Sequence, residues 1–148
     1  MRRTDQRRAA VFSLYQHDVT GTPIDVIAER GPFADNRGGE ALPVPSGPLT
    51  DFARDLVNGV EAHREELDQL IAEQSVDWTL DRIAPLERAI LRVALYELLH
   101  RPDIPDEVAI DEAVETAKVF SGADAPAFVN GILGGVERRV ASSRGPSA

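Results

Sequence analysis

The sequence predicts an all-α protein of about seven helices. Hydrophobic residues recur at helical spacing along the chain, and no segment shows the apolar–polar alternation of a half-buried strand. The 148 residues are 43% hydrophobic and 28% charged, which is typical of a globular protein. A chain of this length buries enough surface to need neither a disulfide nor a structural metal. We therefore expect a single helical domain over residues 1–148.

The first third of the chain predicts two helices and a loop. The first helix is expected to begin near Thr4 as N-cap and to end near Asp18. The second is short and begins with Pro23 at its first position, which suits a residue without a backbone N–H. Residues 31–48 hold four glycines and four prolines, so they predict a loop, more in keeping with a tolerated insertion than with a functional loop.

Helical periodicity resumes after the loop and continues almost to the end of the chain. Thr50 or Asp51 can cap the next helix, and Asp106 or Asp111 can begin a later one. Between these lies a stretch that is apolar on several sides, which predicts a central, buried helix with a proline in its first turn. The "GILGG" run is expected to allow close packing of the last helix, and residues 141–148 to fray. The segments are "LTDFARDLVNGVEA", "HREELDQLIAEQ", "PLERAILRVALYELLHR", "DEVAIDEAVETAKVFSG" and "DAPAFVNGILGGVERRV".

Positive charge is concentrated at the start of the chain. The first eight residues, "MRRTDQRR", contain four arginines and one aspartate and carry about +3, whereas the whole chain carries −9. Guanidinium groups pair with phosphates through two hydrogen bonds and stack on bases, so this end can hold an RNA backbone. A solubilising charged end explains the composition equally well. The pI of about 4.8 argues against a general nucleic-acid coat.

The sequence predicts no catalytic, cofactor or metal site. It contains no nucleophile elbow, no glycine-rich phosphate loop and no zinc-ligand spacing. The acidic stretches 65–68 and 111–115 are interpreted as solvated helix faces, and His17, His63 and His100 as residues near helix ends. The absence of cysteine fits a reducing compartment, and no segment predicts a signal peptide or a membrane span. We expect a soluble, cytoplasmic protein that is not an enzyme.

Several segments together resemble the NusB family of bacterial transcription antitermination factors. They are "RRAAVFSLYQ", "FARDLVNGVEAHREELDQLI", "LERAILRVALYELLHRPDIPDEVAIDEAVETAKVF" and "FVNGIL". Each motif alone is weak, but their order and spacing are specific. The resemblance covers nearly the whole chain except residues 31–48 and the last few.

The resemblance implies two three-helix bundles packed across each other and a function without catalysis. Family members bind a short single-stranded boxA element in ribosomal RNA leader transcripts, together with NusE, a protein of the small ribosomal subunit. The complex then acts on elongating RNA polymerase and suppresses termination. No cofactor is implied.

The family pattern also assigns candidate RNA-binding residues. Basic positions of the N-terminal helix match Arg3 and Arg7, and the start of the last helix carries the matching acid and aromatic. Ala127 stands where the family often has a basic residue, which weakens a phosphate contact there. An exposed aromatic can stack a base, but a helix cap and a core residue explain the same two positions equally well. The candidates are Arg2, Arg3, Arg7, Arg8, Asp124 and Phe128.

Two further positions match the family's NusE-binding surface. Tyr15 is one, although core packing would explain it as well. Glu87 is the other, although an acid at a helix N-terminus also favours the helix dipole.

Two other functions fit the same residues. One is a helical adaptor that binds protein but has no RNA affinity of its own. The other is a stand-alone relative of the RNA-binding domain of ribosomal RNA cytosine methyltransferases. We expect no methyltransferase domain here, because the chain ends just after the last helix.

Overall fold

The computed structural model of the protein describes residues 2–34, 44–75 and 79–143. All regular structure within these ranges is helical, so the predicted all-α fold is confirmed. A short 3₁₀ turn, Leu80–Arg82, lies between the fourth and fifth helices. The seven α-helices are α1 (Arg3–Thr20), α2 (Ile24–Arg30), α3 (Asp51–Ala62), α4 (Arg64–Gln74), α5 (Pro85–His100), α6 (Asp106–Phe120) and α7 (Ala125–Ser143).

The helices divide into two compact units. The first, Met1–Ala62, contains α1 to α3, and α1 packs against both of the others. Its core comes from the apolar faces of the three helices, which helical spacing brings to one side. The most buried apolar side chains are Ala10, Leu14, Ile27, Leu56, Val57 and Val60.

The second unit, His63–Ala148, is built around α5. This helix packs against α4, α6 and α7, and every residue from 89 to 98 is buried. The prediction of a central, buried helix is therefore confirmed. A buried arginine on it, Arg92, is neutralised by Asp68 of α4, because its Nε and Nη2 donate to the two carboxylate oxygens at 2.7 and 3.1 Å. This bidentate pair joins α4 to α5.

Several helix starts agree with the sequence, and two differ by one or two residues. Pro85 is the first residue of α5 and Asp106 the first of α6. The Thr50 hydroxyl accepts the Ala53 N–H at 3.2 Å, so Thr50 caps α3. However, α1 begins at Arg3, so Thr4 is not its cap.

The second helix, in contrast, starts one residue later than expected. α2 begins at Ile24, and Pro23 occupies the capping position before it. At the other end of the chain, Asp124 directly precedes α7. Its carbonyl accepts the Phe128 N–H at 3.2 Å, which is the first hydrogen bond of that helix. The backbone of Asp124 thus has the predicted capping position.

Glycine allows close helix packing at one position of the "GILGG" run. A Cβ at Gly135 would overlap the side chain of Gln74 on α4, whereas one at Gly131 would meet open space. The predicted packing role therefore holds for Gly135. Residues 35–43 of the expected loop and 144–148 of the expected tail lie outside the described residues. None of the described helices combines the length and apolar character needed to cross a membrane.

Candidate nucleic-acid and partner interface

Two exposed arginines of the first unit lie at the N-terminus of α1. Arg2 is the N-cap residue and Arg3 the first helical residue, and both are exposed. The side chain of Arg2 is 78% exposed and its Nε lies 3.5 Å from Asp5 Oδ2. The Arg3 guanidinium carbon lies 4.5 Å from the centre of the Phe52 ring on α3. A cation over an aromatic face is attracted by the ring quadrupole, and the edges of the guanidinium stay open to solvent.

The four predicted arginines are not equivalent. Arg7 is only 6% exposed, and its guanidinium carbon lies 5.3 Å from the centre of the Phe52 ring. This burial leaves Arg7 little surface for a phosphate. Arg7 instead packs against Phe52 of α3. Arg8 is half-buried. We call Arg2, Arg3, Arg8 and Phe52 the basic end.

The basic end is electrostatically unfavourable for α1 itself. A helix N-terminus already carries a partial positive charge, so each cation there costs about 0.3–1 kcal/mol at an exposed site. Asp5 in the first turn offsets part of this cost. The arrangement lowers helix stability and concentrates positive potential at one point, which favours an anionic ligand over stability as its explanation.

Sequence reasoning missed Phe52 as part of this surface. The residue belongs to the apolar stripe of α3, so periodicity alone places it in the core. The structure shows its ring half-buried under two arginines. The available signal was the spacing of Arg3 and Arg7, because residues four apart lie on one helix face and can share one aromatic neighbour.

A pocket in the second unit contains three of the predicted residues. Its volume is about 220 Å³. Glu87 comes from the first turn of α5, and Phe128, half-buried, from the first turn of α7. Asp124 is exposed at the start of α7. We call it the Phe128 pocket; its lining residues are Arg82, Ile83, Glu87, Asp124, Ala125 and Phe128.

The 3₁₀ turn before α5 brings Arg82 to this pocket, which the sequence did not indicate. Ile83 is buried and anchors the turn. Arg88 Nη1 donates to the Leu80 carbonyl at 3.3 Å and ties the turn to α5. The Thr79 hydroxyl donates to Asp81 and lowers the pKa of that carboxyl, with smaller contributions from the neighbouring arginines. The turn thus places the exposed Arg82 at the pocket.

Tyr15 lies in an aromatic group on α1. Its ring centre is 6.4 Å from that of Phe12, edge to face, and 5.9 Å from that of Phe33. The Phe33 N–H donates to Gln16 Oε1 at 2.6 Å, and its φ of 53° is unusual for a bulky residue. Tyr15 is half-buried, so one side of its ring packs while the rest stays accessible.

These features define the protein as a small helical bundle protein with a basic helix end and a mixed-charge pocket. The chain belongs to the NusB family, whose model matches residues 4–138. It is 44% identical over 140 residues to the transcription antitermination protein NusB of Rubrobacter xylanophilus, covering 95% of this chain and 93% of that one.

Solved structures have the same fold. The T. maritima NusB structure is 30% identical with a TM-score of 0.74, covering 93% of this chain and 92% of that one. A structure of antitermination factors NusB and NusE in complex with double-stranded RNA matches with a TM-score of 0.71 at 22% identity. This second match covers 93% of this chain and 96% of the other. At that identity it supports the fold alone.

Proposed function

We propose that the protein is a transcription antitermination factor that binds boxA-type single-stranded RNA in ribosomal RNA leader transcripts together with NusE. The complex acts on elongating RNA polymerase in the cytoplasm, and the protein contributes binding without catalysis. Family membership over residues 4–138 supports this, as does the name of the Rubrobacter relative. A protein of the same fold has been solved with NusE and double-stranded RNA, so NusE and RNA are the partners chosen for the test.

The observation that carries the RNA-binding part is the position of Arg3. Its guanidinium lies over Phe52 at an exposed helix N-terminus, next to the exposed Arg2. A guanidinium held over a ring has lost part of its rotamer freedom before it meets a phosphate. Arg2, Arg3 and Arg8 are therefore the phosphate contacts of this proposal. Arg7, which is buried against the Phe52 ring, positions that ring.

The Phe128 pocket is the second RNA contact in this proposal. The half-buried ring of Phe128 offers a stacking face for an unpaired base. Carboxylates accept hydrogen bonds from the amino groups of bases, and Asp124 is exposed at the pocket entrance. One stacked base with one carboxylate contact would add sequence preference to the phosphate contacts of the basic end.

Glu87 and Tyr15 are the proposed NusE contacts. Each is half-buried, with part of its side chain accessible. The chain outside its first eight residues carries about −12, which attracts a basic protein and repels RNA. A basic partner would therefore add the phosphate contacts that this chain lacks.

One observation favours the protein-only adaptor as a second candidate. Arg7 is buried and Arg2 is paired with Asp5, so fewer guanidinium groups are available than the sequence suggests. An adaptor would bind NusE and leave RNA affinity entirely to that partner.

RNA titration with and without NusE tests the proposal. The variant Arg2→Gln/Arg3→Gln is compared with Arg30→Gln/Arg138→Gln, which removes the same charge from exposed positions on α2 and α7. We expect the first to weaken binding of boxA-type RNA about tenfold or more and the second to change it little, because only the first removes phosphate contacts. Equal RNA affinity of both variants and the wild type in the presence of NusE would support the adaptor instead.

A further inference from the structure

A histidine–glutamate cluster lies in the second unit where α4 begins and α5 ends. His63 directly precedes α4, Glu66 is in its first turn, and His100 is the last residue of α5. His100 Nε2 lies 2.7 Å from Glu66 Oε1, and His63 Nδ1 lies 3.9 Å from the same oxygen. One ligand atom from each residue lies within 4.8 Å of the others.

The two imidazole rings are stacked. Their centres are 3.8 Å apart and their planes differ by 17°. Tyr96, one turn before His100, lies beside both rings at 5.7 and 6.1 Å. Neutral imidazole is the form that binds metals, and the stacked rings hold the two histidines side by side.

The spacing suits a small divalent cation. Tetrahedral zinc with bonds of about 2.0–2.2 Å places its ligand atoms about 3.4 Å apart, and the separations in the cluster lie on both sides of that value. Stacked rings aim their nitrogen lone pairs side by side, so one ring must rotate to converge on a shared ion. Side-chain exposures of 40% for His63 and 28% for His100 leave room for this rotation.

We propose that His63, Glu66 and His100 form a zinc-binding site that joins the start of α4 to the end of α5. Two imidazoles and one carboxylate are ligands that zinc prefers, and the exposed side of the cluster leaves a fourth position for water. Zinc and protons compete for the same imidazole nitrogens. Binding therefore weakens as the pH falls. The site adds a function to those implied by the family and does not depend on the RNA-binding proposal.

Sequence reasoning predicted no metal site because it sought ligands within one helix. His63 and Glu66 are three residues apart on α4, but the third ligand is 34 positions further along the chain. Only the packing of α4 against α5 brings His100 to the other two.

Zinc titration of the full chain tests the site, with zinc chloride as the probe and calorimetry as the readout. We expect one ion per chain, and we expect His63→Gln, Glu66→Gln and His100→Gln each to weaken binding about tenfold or more. His17→Gln is the matched control, because His17 is the one histidine of the sequence outside the cluster and lies in the other unit. It should bind zinc as the wild type does. Magnesium should not compete, since it prefers oxygen ligands.

Thermal unfolding gives a second readout that a nonspecific ion would not produce. Zinc should raise the melting temperature of the wild type and of His17→Gln, and chelation should reverse the rise. The three ligand variants should keep their helical circular dichroism and lose the zinc response. The proposal is overturned if zinc does not bind up to millimolar concentration, or if the three ligand variants bind and respond as the wild type does.

Discussion

Replacing Phe128 with alanine separates a stacking role from a core role. A core phenylalanine that is truncated to alanine costs about 3–5 kcal/mol of stability. Phe128 is half-buried, and part of its ring lines a pocket of about 220 Å³. The ring therefore has fewer packing partners than a fully enclosed one, and we expect a loss of about 2–3 kcal/mol.

The same substitution should also weaken RNA binding. Stacking of one base on an aromatic ring contributes about 1–3 kcal/mol. Its loss corresponds to a dissociation constant for boxA-type RNA that is about 5- to 150-fold larger in the presence of NusE. Urea unfolding followed by circular dichroism gives the stability, and fluorescence anisotropy of labelled RNA gives the affinity.

Val129→Ala is the matched control, because Val129 is the next residue on α7 and is fully buried. It should lower stability by about 1–2 kcal/mol and leave RNA affinity unchanged in the folded protein. The stacking role is refuted if Phe128→Ala loses stability but binds RNA as tightly as the control does.

Three further substitutions test the partner surface, a buried ion pair and an exposed glycine of α7. Glu87→Arg should reduce stability by no more than about 1 kcal/mol, the value of a helix-dipole contact, yet weaken NusE binding in a pull-down or by calorimetry; undiminished binding would remove Glu87 from the interface. Asp68→Asn should cost about 2–4 kcal/mol in urea unfolding because it removes the carboxylate that pairs with the buried Arg92. Asp103→Asn, in an exposed bidentate pair, should cost less than about 1 kcal/mol. Equal losses would mean that burial of the arginine does not matter. Gly131→Ala should stabilise α7 by about 0.5–1 kcal/mol, because a Cβ there meets open space, and a lower unfolding midpoint would contradict this.

The helices were predictable because periodicity, prolines and caps agree along the chain. Pro85 and Asp106 begin their helices as expected, and the many-sided apolar pattern of α5 identified the central helix. The N-cap of α1 lies two residues before the expected Thr4, and α2 starts one residue later than expected, since local sequence defines a helix end only to within one or two residues.

The candidate sites were predictable only in part, because side-chain environments depend on contacts distant in sequence. The arginine cluster was visible in the composition, but the burial of Arg7 follows from the packing of α3 on α1. Arg82 reaches the Phe128 pocket through a turn that carries no motif. The cluster that includes His100 likewise needs two helices in contact. Periodicity describes one helix at a time, so none of these placements follows from it.

The most direct test of the proposed function is the salt dependence of boxA-type RNA binding, with and without NusE. Phosphate contacts from Arg2, Arg3 and Arg8 should give the free protein a log–log slope of about −2.1, at about 0.7 per contact on single-stranded RNA. A fourfold rise in salt should then weaken binding about twentyfold. Arg2→Gln/Arg3→Gln should reduce the slope to about −0.7, and NusE should make both slopes steeper and both complexes tighter. Identical slopes for wild type and variant, with and without NusE, would contradict an RNA-binding role for the basic end.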